Sequence, residues 1–358
     1  MKLLRLTPAL KSTSASYNQF SIGFKDTIDQ TVCSLHEYHD VLIDKKIKVF
    51  HGQGSIFKMM FLIKRLIRKN KYDIVHIHNG LTGIIFILAI FPFRLNLLKR
   101  TVFTLHNSWN VLTLRNQFLD FIVMLASKKI CTCGLSSLNS IPRGINFFIG
   151  YKTQPVVNGF DHNRIDNVET SRITRNNFDS NSKLKILCVG ALNDTKNQIG
   201  LLEVLNHIKI EAELIFLGDG KNKKNLISFS KGVQDSIKIK FKGLVSRDLT
   251  IEHMLDADVC ISLSKGEGLP IAVLEAMYSG CFMILSDIPP HKEVSPPQER
   301  CIFVDIYDAN EIIRSLNFVI KNIEKIKDRR GISKKYSISK FGVHKMLSAY
   351  KEVYDSLS

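Results

Sequence analysis

The residues best suited to chemistry lie between Ser264 and Gly280, in the run SKGEGLPIAVLEAMYSG. A strand-like run ends near Leu263 and a glycine-containing loop follows. Pro270 then falls where the first position of a helix is expected. Proline suits that position because its φ is preset and the N–H it lacks would be unpaired anyway. The N–H groups of Gly268, Leu269 and Ile271 can then face outward at the positive end of the helix, an arrangement that suits an anion. Two carboxylates, Glu267 and Glu275, stand eight positions apart in different settings. Glu267 is on the loop, beside the anion site. Glu275 is one to two turns into the helix, amid Ala272, Val273, Leu274, Ala276 and Met277. A carboxylate in such a stretch needs donors, because burying it unpaired is costly. Sugar hydroxyls would serve, and so would a salt bridge within its own domain.

Other residues read more plainly. His106 is a general acid–base group by residue type, at the end of a strand-like run. His76 and His78 alternate on a strand and so share a face; with no third ligand apparent, a structural role is favoured over a metal. Lys196 taken alone is a solvated loop lysine. The seven cysteines form no CxxC and no Cys/His cluster of metal-binding spacing, so no metal site is expected. Most sit in apolar strand-like runs, as small core residues of a reducing compartment do.

The elements that must position these groups alternate in type. Strands are expected at Lys2–Leu6, Lys48–Phe50, Ile74–His78, Thr101–Leu105 and Lys129–Thr132, with helices at Ile56–Lys69 and Gln117–Ala126. Further strands are expected at Lys185–Val189, Glu213–Leu217, Ile237–Phe241, Val259–Leu263, Phe282–Leu285 and Cys301–Val304, with helical spacing over Gln198–Asn206 and Leu269–Ser279. Such alternation predicts an α/β protein with two parallel, doubly wound sheets, whose ligands bind beyond the strand C-termini. Residues 1–160 form the first domain on this reading, the polar stretch 161–183 the linker, and 184–335 the second domain. In 336–358, Val343, Leu347, Tyr350, Tyr354 and Leu357 recur at helical spacing and predict a closing helix that packs on the body.

A length of 358 residues suggests about two domains, and 45% hydrophobic with 23% charged residues excludes wholesale disorder. The net charge of +17 is placed unevenly: residues 1–160 carry 21 basic and 7 acidic side chains, a net +14, and residues 161–358 carry +3. No RNA-binding signature or aromatic-interleaved basic groove accompanies the charge, so no nucleic-acid partner is expected. The opening residues lack a signal peptide's h-region, and the most apolar stretch, Leu81–Phe93, is too short to span a bilayer. A cytoplasmic protein is expected. Phe57–Lys71 is a basic amphipathic helix suited to anionic headgroups, so peripheral membrane association is also expected.

Several segments in order along the chain resemble one family. Glu267 and Glu275, within EGLPIAVLEAMYSG, resemble the Glu-x7-Glu signature of the retaining glycosyltransferases of family four, which have the GT-B fold. Val157–Asp161 is similar to the family's NGVD segment, and Val189-Gly190-Ala191-Leu192 with Lys196-Asn197 to its VGRL…KG segment. Leu217–Gly220 resembles GDG, and Phe241-Lys242-Gly243-Leu244-Val245 resembles FxGxV. Ala257-Asp258-Val259 precedes the signature loop, and Ser286–Pro289 with Glu293 follows it. Asp73–His78 and Thr104-Leu105-His106 are similar to its DVVHxH and TxH segments. Ala191 stands where the family carries Arg, and Ser12–Gln19 where it usually carries a Gly-Gly pair.

The resemblance implies two Rossmann-like domains facing a cleft, the first receiving the acceptor and the second holding a nucleotide sugar. It places Glu275 on the donor ribose and Glu267 by the transferred sugar. Gly268 and Leu269 would lie near the diphosphate, Lys196 would neutralise it, and Gly190 belongs to the same loop. The Gly243–Leu244–Val245 backbone would lie near the base, and His106 near the sugar on the acceptor side. It further implies a retaining, metal-independent transferase without a cofactor, acting on a lipid-linked or oligosaccharide acceptor of a surface polysaccharide. A second reading is a catalytically inert GT-B subunit that stabilises an active partner.

Overall fold

The computed structural model describes residues 1–10, 23–37, 44–174, 183–208, 210–294, 296–328 and 331–357. The segment Ser12–Gln19 lies outside these. The chain divides into two compact units, Met1–Gly159 with Val343–Ser358, and Phe160–Gly342.

The first unit is built on seven strands: β1 (Lys2–Thr7), β2 (Asp29–Ser34), β3 (Lys48–His51), β4 (Ile74–Ile77), β5 (Thr101–Leu105), β6 (Lys129–Thr132) and β7 (Thr153–Pro155). All neighbours pair in parallel, in the order β3-β2-β1-β4-β5-β6-β7, so the winding reverses between β1 and β4. Side chains alternate between two covered faces. Leu4, Leu6, Val75, Ile77, Phe103, Leu105 and Ile130 face one core, which is closed by Met59, Ile63, Phe86, Val123 and Ile149 from the helices. Those helices span Ile56–Lys69, Gly80–Ile90, Leu114–Ala126 and Arg143–Ile149. Leu3, Ile74, Val102 and Cys131 face the other core, closed by Met346, Tyr350, Val353 and Tyr354.

The helix Ile56–Lys69 forms at the residues its pattern predicts. Ser55 caps it by accepting from the Lys58 N–H, and Met59, Ile63, Leu66 and Ile67 recur on its buried side. The closing segment, in contrast, is two helices. Ile332–Phe341 belongs to the second unit and Val343–Asp355 to the first, with Gly342 extended between them. The stretch 161–183 begins with a helix, His162–Thr174, packed within the second unit, rather than as a polar linker.

The second unit has six strands: β8 (Leu184–Val189), β9 (Ala212–Leu217), β10 (Ile237–Gly243), β11 (Val259–Ser262), β12 (Phe282–Ser286) and β13 (Cys301–Val304). Their order is β10-β9-β8-β11-β12-β13, all parallel, with the reversal between β8 and β11. One face packs on Gln198–Leu205 and Ala309–Lys321 through Leu201, Leu202, Leu205, Ile312 and Leu316. The helices His162–Thr174, Arg247–Asp256, Ile271–Tyr278 and Ile332–Phe341 touch one another in a second layer, which contacts β8 and β11. In an open parallel sheet the crevice at the point of reversal is the natural ligand site, and the loops after β8 and β11 border it.

All seven cysteines are buried and unbridged. Among the described residues, no helix is long and apolar enough to cross a membrane. No group of three or more His, Cys, Asp or Glu among them is placed to hold a metal ion.

Candidate active site

The loops after β8 and β11 are tied together. The Lys265 N–H donates to the Thr195 carbonyl at 2.7 Å, and Lys196 Nζ pairs with Glu267 Oε1. The same carboxylate oxygen accepts from Ser264 Oγ at 2.7 Å. Burial alone would push the Glu267 carboxyl up. Lys196, by charge and hydrogen bond, and Ser264 outweigh it and hold Glu267 below the usual carboxylate range. The loop is braced from β12, where Ser286 Oγ donates to the Ser264 carbonyl at 2.6 Å. Ser286 Oγ also lies 3.0 Å from Nδ1 of the buried His291. Burial lowers that imidazole to about 4, so it is neutral at pH 7.

Beside the Lys196 loop, the ends of β8, β9 and β10 approach one another closely. The Gly190 N–H donates to the Leu217 carbonyl, and the Gly218 N–H to the Gly243 carbonyl, both at 2.9 Å. Gly218 has φ +139°, and a Cβ on it would meet the Gly190 carbonyl oxygen at 2.0 Å. Only glycine fits there. Gly218→Ala is therefore expected to lower the melting temperature by several degrees, since overpacking against backbone costs about 1–3 kcal/mol. An unchanged calorimetric melt would contradict this close approach.

Glu275 is the fifth residue of Ile271–Tyr278 and is buried. Its Oε1 pairs with the Arg247 guanidinium, from the first turn of Arg247–Asp256 after β10. Its Oε2 is buried with no hydrogen-bond partner. Of the two settings open for this carboxylate, the salt bridge is present, and one oxygen is left over. Burial lowers the Arg247 guanidinium to about 10, still cationic at pH 7. Nothing local in the sequence marks out Arg247. A lone arginine after Phe241–Val245 looks like any solvated first-turn residue, and only the fold brings it to Glu275.

Pro270 is not the first helical residue. It holds the cap position with ψ 102°, and the helix begins at Ile271. An extended proline ends the loop before the turn can close. Gly268 and Leu269 are buried on that loop. On the β10 side, Gly243 turns with φ +70°, Leu244 is exposed, and half-buried Val245 leads into the Ser246 cap. The structure thus brings Lys196, Glu267, Gly190, Gly268 and Leu269 together around the ends of β8 and β11, and places Gly243–Val245 at the end of β10.

His106 belongs to the first unit, just past β5. Its Nε2 is 3.0 Å from Nδ1 of His78, which follows β4, and the rings stack at 5.2 Å between centroids. Burial lowers His106 to about 4, so this imidazole is neutral at pH 7. His76 lies deeper, with its two nitrogens 2.7 Å from Tyr354 Oη and Thr104 Oγ1, and so ties the closing helix to the sheet.

Comparison with known proteins bears on the fold and the family. The family model "Glycosyl transferases group 1" matches residues 170–336, and "Glycosyltransferase Family 4" matches residues 31–133. The capsular polysaccharide biosynthesis glycosyltransferase CapH of Staphylococcus aureus is 26% identical over 277 residues, 72% of each chain. The UDP-Gal:alpha-D-GlcNAc-diphosphoundecaprenol alpha-1,3-galactosyltransferase of Escherichia coli is 24% identical over 282 residues, 72% of this chain and 69% of its own. Among solved structures, Anabaena HepE in complex with UDP-glucose superposes with a TM-score of 0.78 at 16% identity, covering 99% of this chain and 100% of its own. Sucrose-phosphate synthase of Thermosynechococcus elongatus gives 0.79 at 13% identity, covering 100% and 99%. With a family model matched in each half and two doubly wound parallel sheets, the chain is a glycosyltransferase of the GT-B fold and belongs to the glycosyl transferases group 1 family.

Proposed function

We propose that the protein is a retaining, metal-independent hexosyltransferase that moves a sugar from a nucleotide donor to a lipid-linked or growing glycan of a surface polysaccharide. The observation that carries this is a pair of carboxylates near the reversal of the second sheet, Glu267 half-buried and Glu275 buried. One is held ionised by Lys196 and Ser264, and the other has an oxygen left unpaired. An unpaired buried acceptor calls for a donor, and a ribose hydroxyl supplies one. Glu267 then sits by the transferred sugar, where its negative charge favours the oxocarbenium-like character of glycosyl transfer. The N–H groups of Gly268 and Leu269, with Lys196, take the diphosphate, whose charge grows as it leaves. Gly190 gives Lys196 room, and the Gly243–Val245 backbone meets the base.

The acceptor belongs to the first unit. His106, neutral beside His78, serves there to position the sugar or stabilise charge and not to take a proton. The capsular and lipid-diphosphate relatives support the choice of acceptor class. Such an acceptor places the work at the inner face of a membrane, with the basic helix Ile56–Lys69 toward lipid.

A thermal-shift screen against UDP-, GDP-, ADP- and dTDP-sugars, with chelator present, tests the donor assignment. A donor at about 100 times its Kd stabilises the fold by about 2.7 kcal/mol, several degrees for units of this size. One base is expected to give that shift in chelator. No shift with any of the four at saturating millimolar concentration would overturn the proposal.

A further inference from the structure

We propose that the outer face of the first unit's helical layer is a single docking surface for an anionic lipid bilayer, with aromatic rings entering the interface between cationic contacts. This rests on the membrane part of the reading above and is independent of its chemistry. The helices Ile56–Lys69, Gly80–Ile90, Leu114–Ala126 and Arg143–Ile149 pack side by side on one face of the sheet, each touching the next. Their inner residues fill the core, yet their outer sides are far from polar. The first helix exposes Phe57 and Phe61, Phe57 to 71%. The second is followed by Phe91, its cap, and Phe93 in the next turn, the latter 91% exposed. The third exposes Leu114 and Phe118, and the fourth Phe147 and Phe148, Phe147 to 83%. Large apolar side chains exposed on each of four neighbouring helices mark a surface that meets something.

Charge identifies what it meets. Residues 51–152 carry 14 basic side chains and only two acidic ones, Asp73 and Asp120. Neither carboxylate faces outward from this layer: Asp120 is buried and accepts from the Gly80 N–H at 2.8 Å, and Asp73 accepts from the Lys2 N–H at 2.7 Å. Cations and rings are interleaved. Lys64 Nζ lies 6.0 Å from the Phe61 ring, and Lys152 Nζ lies 5.7 Å from the Tyr151 ring. Arg65, Arg68, Lys69 and Arg143 are also exposed. A surface with rings, long cationic stems and no exposed acid complements the anionic headgroup region, where rings take the boundary and Lys or Arg reach phosphate. A protein partner would be met by a more mixed rim.

Co-sedimentation of the full chain with vesicles tests this directly. Phosphatidylglycerol–phosphatidylethanolamine vesicles are expected to bind the protein at low salt, and phosphatidylcholine vesicles at least about tenfold less. The variant Phe57→Ser/Phe93→Ser/Phe147→Ser, altered only at exposed rings, is expected to bind about tenfold more weakly or worse. Its melting temperature and its nucleotide-sugar thermal shift should match wild type, which separates loss of docking from loss of the donor site. Equal binding by the triple variant, or equal binding to both vesicle types, would overturn the proposal. So would a vesicle-free dimer, seen by light scattering, that the triple variant abolishes, since the face would then be an interface between copies.

Discussion

Glu275→Gln is expected to weaken nucleotide-sugar binding about 10- to 100-fold, the range for losing a hydrogen bond to a charged group. Transfer at subsaturating donor should fall at least as far. The expectation follows from the two oxygens having different surroundings: Oε1 is taken by Arg247, while Oε2 is buried with no partner. Substitution also removes the negative half of a largely buried pair and leaves Arg247 to Asp161 and Asp248 alone, which costs up to about 3–5 kcal/mol of stability. The two effects separate in the double variant Arg247→Met/Glu275→Met. Removing both charges should restore most of the melting temperature, because an apolar replacement of a buried pair is close to neutral. Donor binding should stay lost. A double variant that regains the donor-induced thermal shift would reduce Glu275 to a structural partner of Arg247.

Lys196→Met is expected to lower transfer about 100- to 1,000-fold, the usual result of removing one fixed stabiliser of developing charge. It should also change the pH dependence of stability, and the sign can be worked out. In the wild type, Glu267 is held below its ordinary range, so its contribution is present above the unfolded carboxylate range and is lost as pH falls through the lowered folded value. Without Lys196 the strongest remaining influence is burial, which raises the carboxyl. The variant should then lose stability as pH rises from 4 to 8, while the Glu267 contribution in the wild type does not decline over that window. Melting temperatures of both proteins across the window check this. Parallel curves would mean that Lys196 does not hold Glu267 ionised.

How much of this was legible in the sequence depended on whether the determinant was local. Ile56–Lys69 was readable to the residue because its apolar period and its Ser55 cap are both local signals. The strand β2, DQTVCS, carries no strand pattern in the sequence: it is largely polar, yet Gln30, Thr31 and Ser34 are buried because it lies between β1 and β3. The strand β7 was missed because it has three residues, at a sheet edge, and ends in Pro155. Tyr350 and Tyr354 showed their helical spacing, but nothing nearby in sequence reveals that they meet Thr104 and His76, which return the final helix to the first unit. The Glu267 loop was legible from glycine, proline and charge within a few residues. The resemblance puts Lys196 at the same donor site, but its pairing with Glu267 across 71 positions, like the pairing of Arg247 with Glu275, comes only from the fold.

The central claim is glycosyl transfer with retention from a nucleotide sugar at the end of the second unit's sheet. The most direct measurement is the anomeric configuration of the product, read by NMR after the purified chain turns over the donor selected by thermal shift, with a lipid-diphosphate-linked acceptor and chelator present. The account predicts turnover under these conditions and a new linkage with the configuration of the donor. An inverted linkage, or turnover that appears only when a divalent ion is restored, would contradict it.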